Sequence, residues 1–333
     1  MAHPLFKLAF EQPAQLAALC CEHLPAELAQ AIAWDTAKPS PTSFIDPKLA
    51  DFHADLLVHV ELAEHPAYLY LLVEHQSTSD SLMPLRVLHY MVRVWMRHAS
   101  EHGLPLPPLI AILVSHAPGG WQAAQSVHEL VVPSPDQIPG LARFVPNATF
   151  ILDDLQAQDD EALRGRALAA FPKLALWLLK SGRNGPALLE ALDAWQQVLA
   201  ELLRAPSGTA ALAHLLRYIA LVSSDLNYGD FHGKLLDVLP QTEETLMTIA
   251  EQLRSEGLTL GRQEGREQGR QEGREQGRQE ALRNTATKLL ALKFGDAATA
   301  HAPMIAAATP EQLESLIERI LTAKSLDELF PSS

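Results

Sequence analysis

The 333-residue chain carries 26 Lys+Arg against 40 Asp+Glu, a formal net charge of −14, and 47% of its residues are hydrophobic. That apolar content suffices for a buried core and excludes a fibrous or wholly disordered chain. The acidity argues against simple electrostatic coating of DNA or of an anionic membrane. The adjacent Cys20 and Cys21 make no disulfide framework, the N-terminus shows no leader pattern, and no uncharged apolar run nears the roughly 18 residues of a membrane span. A cytoplasmic protein of about two to three domains is expected.

Residues 1–160 hold 11 of the 14 histidines and 7 Lys+Arg against 18 Asp+Glu, a net of −11. They also hold the clearest strand patterns. Residues 55–62, Asp-Leu-Leu-Val-His-Val-Glu-Leu, alternate at period two. The turn residues 63–66 follow, and residues 67–74, Ala-Tyr-Leu-Tyr-Leu-Leu-Val-Glu, read as a second strand. If a four-residue loop closes this hairpin, Leu62 pairs with Ala67 and Asp55 lies opposite Glu74, with Gln76 on the same face. Two carboxylates and an amide then converge at the open end. They form either an oxygen cradle for a hard divalent cation or a pair of strand-end carboxylates facing water.

Farther on, Arg86, His89, Arg93 and Arg97 recur at i, i+3, i+7 and i+11 of a helix. They form a polar stripe set against Leu85, Leu88, Val92, Trp95 and Ala99. The stripe is a candidate DNA-phosphate contact and equally an ordinary solvated face. His53, His59, His75 and His89 lack the HExxH or H-x₃-H spacing of a zinc site. No nucleophile elbow surrounds Ser115, and no glycine-rich phosphate loop precedes a helix, so no nucleotide cofactor is expected.

Residues 161–256 are Leu/Ala-rich at helical spacing and form a second, helical region. The segment 257–280 contains a strict tetrad repeat. Glycines fall at 261, 265, 269, 273 and 277, while five arginines and five glutamates cancel. Each glycine costs a helix about 1 kcal/mol relative to alanine, and nothing apolar marks a coiled-coil seam. A solvated marginal helix, a flexible linker, or a tether for homo-oligomers or nucleic acid all remain open readings. Residues 281–333 form a small helical module, in which Thr309-Pro310-Glu311-Gln312 starts a helix running to about Ala323.

Several blocks together resemble one bacterial family. They are Asp55-Leu56-Leu57, Tyr68 through Thr78 with its Glu74-His75-Gln76-Ser77-Thr78 run, Met83-Pro84-Leu85-Arg86 and Leu88 through Trp95. Leu106-Pro107-Pro108-Leu109-Ile110, Asp153-Asp154-Leu155, Glu161 through Ala167 and the Gly-Arg-Gln-Glu tail continue the likeness. The family is the Rpn (recombination-promoting nuclease), or YhgA-like transposase, family within the PD-(D/E)XK nucleases, and the likeness covers most of the chain. The resemblance implies an α/β fold, a mixed sheet flanked by helices with an all-helical C-terminal part, and a Mg²⁺-dependent DNA endonuclease in which Mn²⁺ could substitute. It makes Asp55 and Glu74 metal ligands, adds the backbone carbonyl of His75, and puts Gln76 where many superfamily members have lysine. The chain departs from the family pattern at His53-Ala54 and His3-Pro4. Glu22 and Glu27 are both candidates for an extra acidic residue from the first helices. The alternative function is an inactive nuclease-fold protein that works as an interaction module through its helical half.

Overall fold

The computed structural model describes residues 3–40, 56–74, 80–295, 301–326 and 328–330. Three short helices, α1 (His3–Phe10), α2 (Pro13–His23) and α3 (Ala26–Ala31), lead into β1 (Ile32–Ser40). The strands β2 (Leu56–Leu62) and β3 (His65–Glu74), the helix α4 (Met83–His102), and the strands β4 (Leu109–Ser115) and β5 (Ile151–Asp154) follow. The sheet order is β1-β2-β3-β4-β5: the first three strands form an antiparallel meander, and β4 and β5 run parallel to β3. Alternation along the strands sends Leu57, Tyr70, Leu72, Ala111 and Leu113 toward α4, where they pack with Met83, Val87, Tyr90 and Val94. Leu56, Val58, Leu69, Leu71 and Ile112 occupy the opposite face and are also buried, so helices cover both faces as a sheet with parallel strands requires.

The hairpin register differs from the sequence expectation. A two-residue turn closes it, Leu62 pairs with His65, and Leu56 pairs with Leu71. The pairing is therefore offset by two residues from the one that set Asp55 against Glu74. Pro66 is tolerated inside β3 because β4 joins that strand only from Tyr68 onward, leaving a neighbour on one side alone. The turn residues Ala63 and Glu64 have φ of 48° and 67°. Such a turn matches strand twist but needs left-handed backbone at both positions, which Asn-Gly adopts far more readily. This is why the sequence did not announce a tight turn there.

After β5 come α5 (Asp160–Gly165), α6 (Ala170–Ser181), α7 (Gly185–Arg204), α8 (Gly208–Val222) and α9 (Tyr228–Val238). Trp177 of α6 stacks on Trp195 of α7 with ring centroids 4.7 Å apart. The Trp195 indole N–H donates to Asp160 Oδ2 at 3.0 Å, and Lys180 Nζ donates to Oδ1 of the same carboxylate at 2.9 Å, so one indole of the buried pair is satisfied by a carboxylate that a lysine in turn holds.

The chain divides into two compact units, residues 1–249 and 250–333. The helix α10 (Glu243–Phe294) runs through the tetrad repeat without interruption. The space beside each of the repeat's five glycines is open, so packing does not demand glycine there. In the second unit the end of α10 packs with α11 (Ala302–Ala307) and α12 (Pro310–Thr322) around Ala286, Leu290, Ile305, Leu313, Leu316 and Ile320. Thr309 and Gln312 form the expected capping box. At the other end of α12, Lys293 Nζ donates to the carbonyls of Ile320 and Leu321 at 2.6 and 3.0 Å, which suits the negative end of the helix dipole. Among the described residues no helix is long and apolar enough to cross a membrane.

Replacing Ala63-Glu64 with Asn-Gly relieves the left-handed strain. The double variant should be more stable by about 1 kcal/mol, read as a higher urea midpoint with an unchanged slope.

Candidate active site at the carboxyl edge of the sheet

The mixed topology brings one set of strand ends together. Ser40 pairs with Leu57 near the start of β2, Glu74 closes β3 opposite Ser115 of β4, and Ser115 pairs with Asp154 of β5. Glu74 thus stands at the edge from which β2 sets out. Asp55, His75 and Gln76 lie outside the described residues. The pairing of Asp55 with Glu74 through a four-residue loop is corrected by the observed register.

The neighbouring carboxylates at this edge have other work. Asp153, 1% exposed, accepts from Arg166 Nη1 at 2.9 Å and Nη2 at 2.6 Å, and from Gln158 Nε2 at 3.0 Å. His23 Nε2 of α2 lies 3.2 Å from its other oxygen. Burial alone would raise the Asp153 pKa. The hydrogen bonds from His23 and Arg166, with the guanidinium charge, outweigh it and hold the carboxyl at about 2. Asp154 accepts from the backbone N–H of Trp121 at 2.7 Å and of Gln156 at 3.1 Å, and so anchors the loop after β4. Gly120 of that loop has φ +81°, and a Cβ there would meet Asp154 Oδ2 at 3.0 Å.

Glu22, a candidate extra acid, is also committed. Its Oε1 accepts from the Ala167 N–H at 3.0 Å and its Oε2 lies 3.5 Å from Arg166 Nε. Glu22, His23, Asp153 and Arg166 together tie α2 to β5 and to the segment before α6. Glu27 sits in the first turn of α3, exposed.

The polar stripe on α4 needs a correction. The buried face of that helix is Met83, Val87, Tyr90, Met91, Val94 and His98, whereas Leu85 and Val92 are 44% and 43% exposed. The sheet selected long, partly polar side chains that reach deep, and a ranking by hydrophobicity alone missed them. Arg86 pairs with Asp80 and also donates to the Tyr90 hydroxyl at 3.4 Å. Arg97 pairs with Glu101 at 2.8 Å. His89 and Arg93 are the exposed members of the stripe.

His59 of β2 packs edge-on against Tyr68 of β3, toward the opposite edge of the sheet. Sequence reasoning gave no role to two groups: the Asp153–Arg166 pair, and His98 with His102 on α4. The first had no local signal, since its partners lie 13 residues apart. The second had one, an i,i+4 histidine spacing.

The fold is a mixed sheet with an antiparallel meander, a helical crossover and an acidic residue ending its central strand, and a fold alone does not fix a function. The family model described as "Putative transposase, YhgA-like" matches residues 3–209, and the chain belongs to that family. Among curated proteins it is 31% identical to recombination-promoting nuclease RpnD of Escherichia coli O157:H7, over 70% of this chain and 86% of that one. It is 28% identical to recombination-promoting nuclease RpnA of E. coli K12, over 76% and 83% of the two chains. A third relative, also 28% identical, over 72% and 77%, is named an inactive recombination-promoting nuclease-like protein, RpnE of E. coli K12. No solved structure matches the chain.

Removing one partner of the buried pair exposes its cost. Arg166→Met should destabilise the protein by about 3–5 kcal/mol. Because the Asp153 pKa falls from an ordinary 3.8 to about 2, its contribution is complete above the upper value and is lost as pH falls through the lower one. Urea unfolding from pH 7 down to 2 should therefore show wild type and Asp153→Asn converging in stability only at the acid end.

Proposed function

We propose that the protein is a metal-dependent DNA endonuclease of the PD-(D/E)XK type, acting in recombination, with Asp55 and Glu74 as its acidic ligands. The observation that supports this most is the place of Glu74, at the end of the central strand and at the edge from which β2 begins one residue after Asp55. The donor set is all oxygen: two carboxylates, the His75 carbonyl and the Gln76 amide. Such a set fits a hard divalent ion, Mg²⁺ or Mn²⁺, and not a soft one. The carboxylates of Asp153 and Asp154 are engaged by protein donors.

A divalent ion held there would supply a Lewis acid for the phosphate and a lowered pKa for bound water. Asp55 and Glu74 bind and orient the group. Gln76, uncharged, holds a water or a phosphate oxygen by hydrogen bonds, at a position where lysine would add positive charge. His89 and Arg93 of α4 are the DNA contacts of first choice, since they are more exposed than Arg86 and Arg97. With a net charge of −14 the chain engages DNA weakly, and in a metal- and salt-dependent way.

Some relatives carry the word inactive in their names, which favours a second reading, a nuclease-fold interaction protein. A nicking assay on supercoiled plasmid with Mg²⁺ or Mn²⁺ separates the two. Wild type should cut, and Asp55→Ala and Glu74→Ala should each lose more than about 100-fold of the activity, beyond what the loss of outer-shell partners costs. Equal cutting by all three would overturn the site assignment. No cutting by wild type with either metal would leave the interaction reading.

A further inference from the structure

The second histidine group lies on α4, away from the nuclease edge. His98, Glu101 and His102 stand at i, i+3 and i+4, so the three share one face at the last turn of the helix. The rings of His98 and His102 are 5.0 Å apart, centroid to centroid. His98 is 9% exposed, and its Nδ1 is buried without a hydrogen-bond partner. A buried, unsatisfied imidazole nitrogen needs an explanation, and a bound ion or water is the usual one. Both rings border two openings, one of about 190 Å³ and one of about 870 Å³, so the group is reachable from solvent.

The surroundings suit a cation. Glu101 Oε1 is held by Arg97, while its Oε2 lies 3.9 Å from His102 Nε2, putting a carboxylate beside the pair. Across the sheet, Tyr68 separates His98 from His59, at centroid distances of 6.2 and 5.5 Å.

We propose that His98 and His102 bind a borderline transition-metal ion, Zn²⁺ in the first place, at the C-terminal turn of α4. Among the described residues no three His, Cys, Asp or Glu side chains form a ready metal shell. The site is therefore a two-imidazole one completed by water, with His59 and His65 bordering the same opening. The i,i+4 spacing on a helix is the one two-histidine zinc sites use. Nitrogen ligands select Zn²⁺, Ni²⁺ or Cu²⁺ over Mg²⁺. The site lies near Tyr68, six residues along β3 from Glu74 and about 20 Å from it, so it is distinct from the oxygen site. Its effect is to tie the last two turns of α4 to each other.

The test is calorimetric titration of ZnCl₂ into the full chain, stripped of metal by chelator and dialysed, in excess Mg²⁺. Wild type should bind one equivalent that Mg²⁺ does not displace, and its unfolding temperature should rise with Zn²⁺. His102→Ala, whose side chain is 60% exposed in wild type and so leaves the fold undisturbed, should weaken that binding at least 10-fold and abolish the thermal shift. His98→Gln should do the same if it folds, and His102→Ala decides alone if it does not. Absence of Zn²⁺ binding by wild type overturns the proposal. So does undiminished binding by His102→Ala, which would place the ion among the other histidines.

Discussion

Strands β3 and β4 run parallel, so the chain must travel back along the sheet between them, and α4 is that return. Parallel neighbours cannot be joined by a tight turn, and the crossover is almost always right-handed. This single demand explains the 20-residue length of α4. It also explains the burial of one full face of the helix against Leu57, Tyr70 and Leu72, and the gathering of the ends of β3, β4 and β5 at one edge. The antiparallel partner β2 begins at that same edge. Chemistry placed there is held by four strands at once, whereas the opposite edge is built from the hairpin turn and the end of α4.

The polar groups buried around the sheet follow from the same geometry. A sheet covered on both faces leaves strand-end carboxylates partly out of water. Each must find donors or change its protonation. Asp153 finds a guanidinium and an imidazole, and Asp154 finds two backbone N–H groups. The acidic character of the first 160 residues is therefore not a uniform surface property. Some of those charges are structural ties between helices and strands.

How much of this could be read in advance depended on range. The two hairpin strands, the capped helix at Thr309 and the helical second half rest on local periodicity and local hydrogen bonding, and they emerged with nearly the observed bounds. The hairpin register did not, because Ala63 and Glu64 adopt left-handed backbone without the residues that normally signal it. The buried face of α4 was misjudged because Tyr90 and His98 are buried while Leu85 and Val92 are not. A hydropathy ranking cannot anticipate which side a sheet will choose. The Arg166–Asp153 tie and the packing of His98 near His59 are tertiary facts without a sequence period. For the proposed nuclease site, family likeness supplied the candidate residues, and the fold adds the place of Glu74 alone, at the end of β3.

The glycine repeat of α10 has one geometric consequence of its own. A helix turns once in 3.6 residues, so a pattern of period four advances about 40° per repeat. The glycines, and the arginines beside them, do not line up along the axis but trace right-handed spirals, like stripes on a barber's pole. Over the five repeats each stripe travels nearly halfway round the rod. A straight partner laid alongside would meet glycine, then arginine, then the Gln/Glu positions in succession, and no residue type would face it throughout. The repeat thus gives the helix a surface on which no residue type keeps to one line along the axis, with arginine and glutamate in equal number.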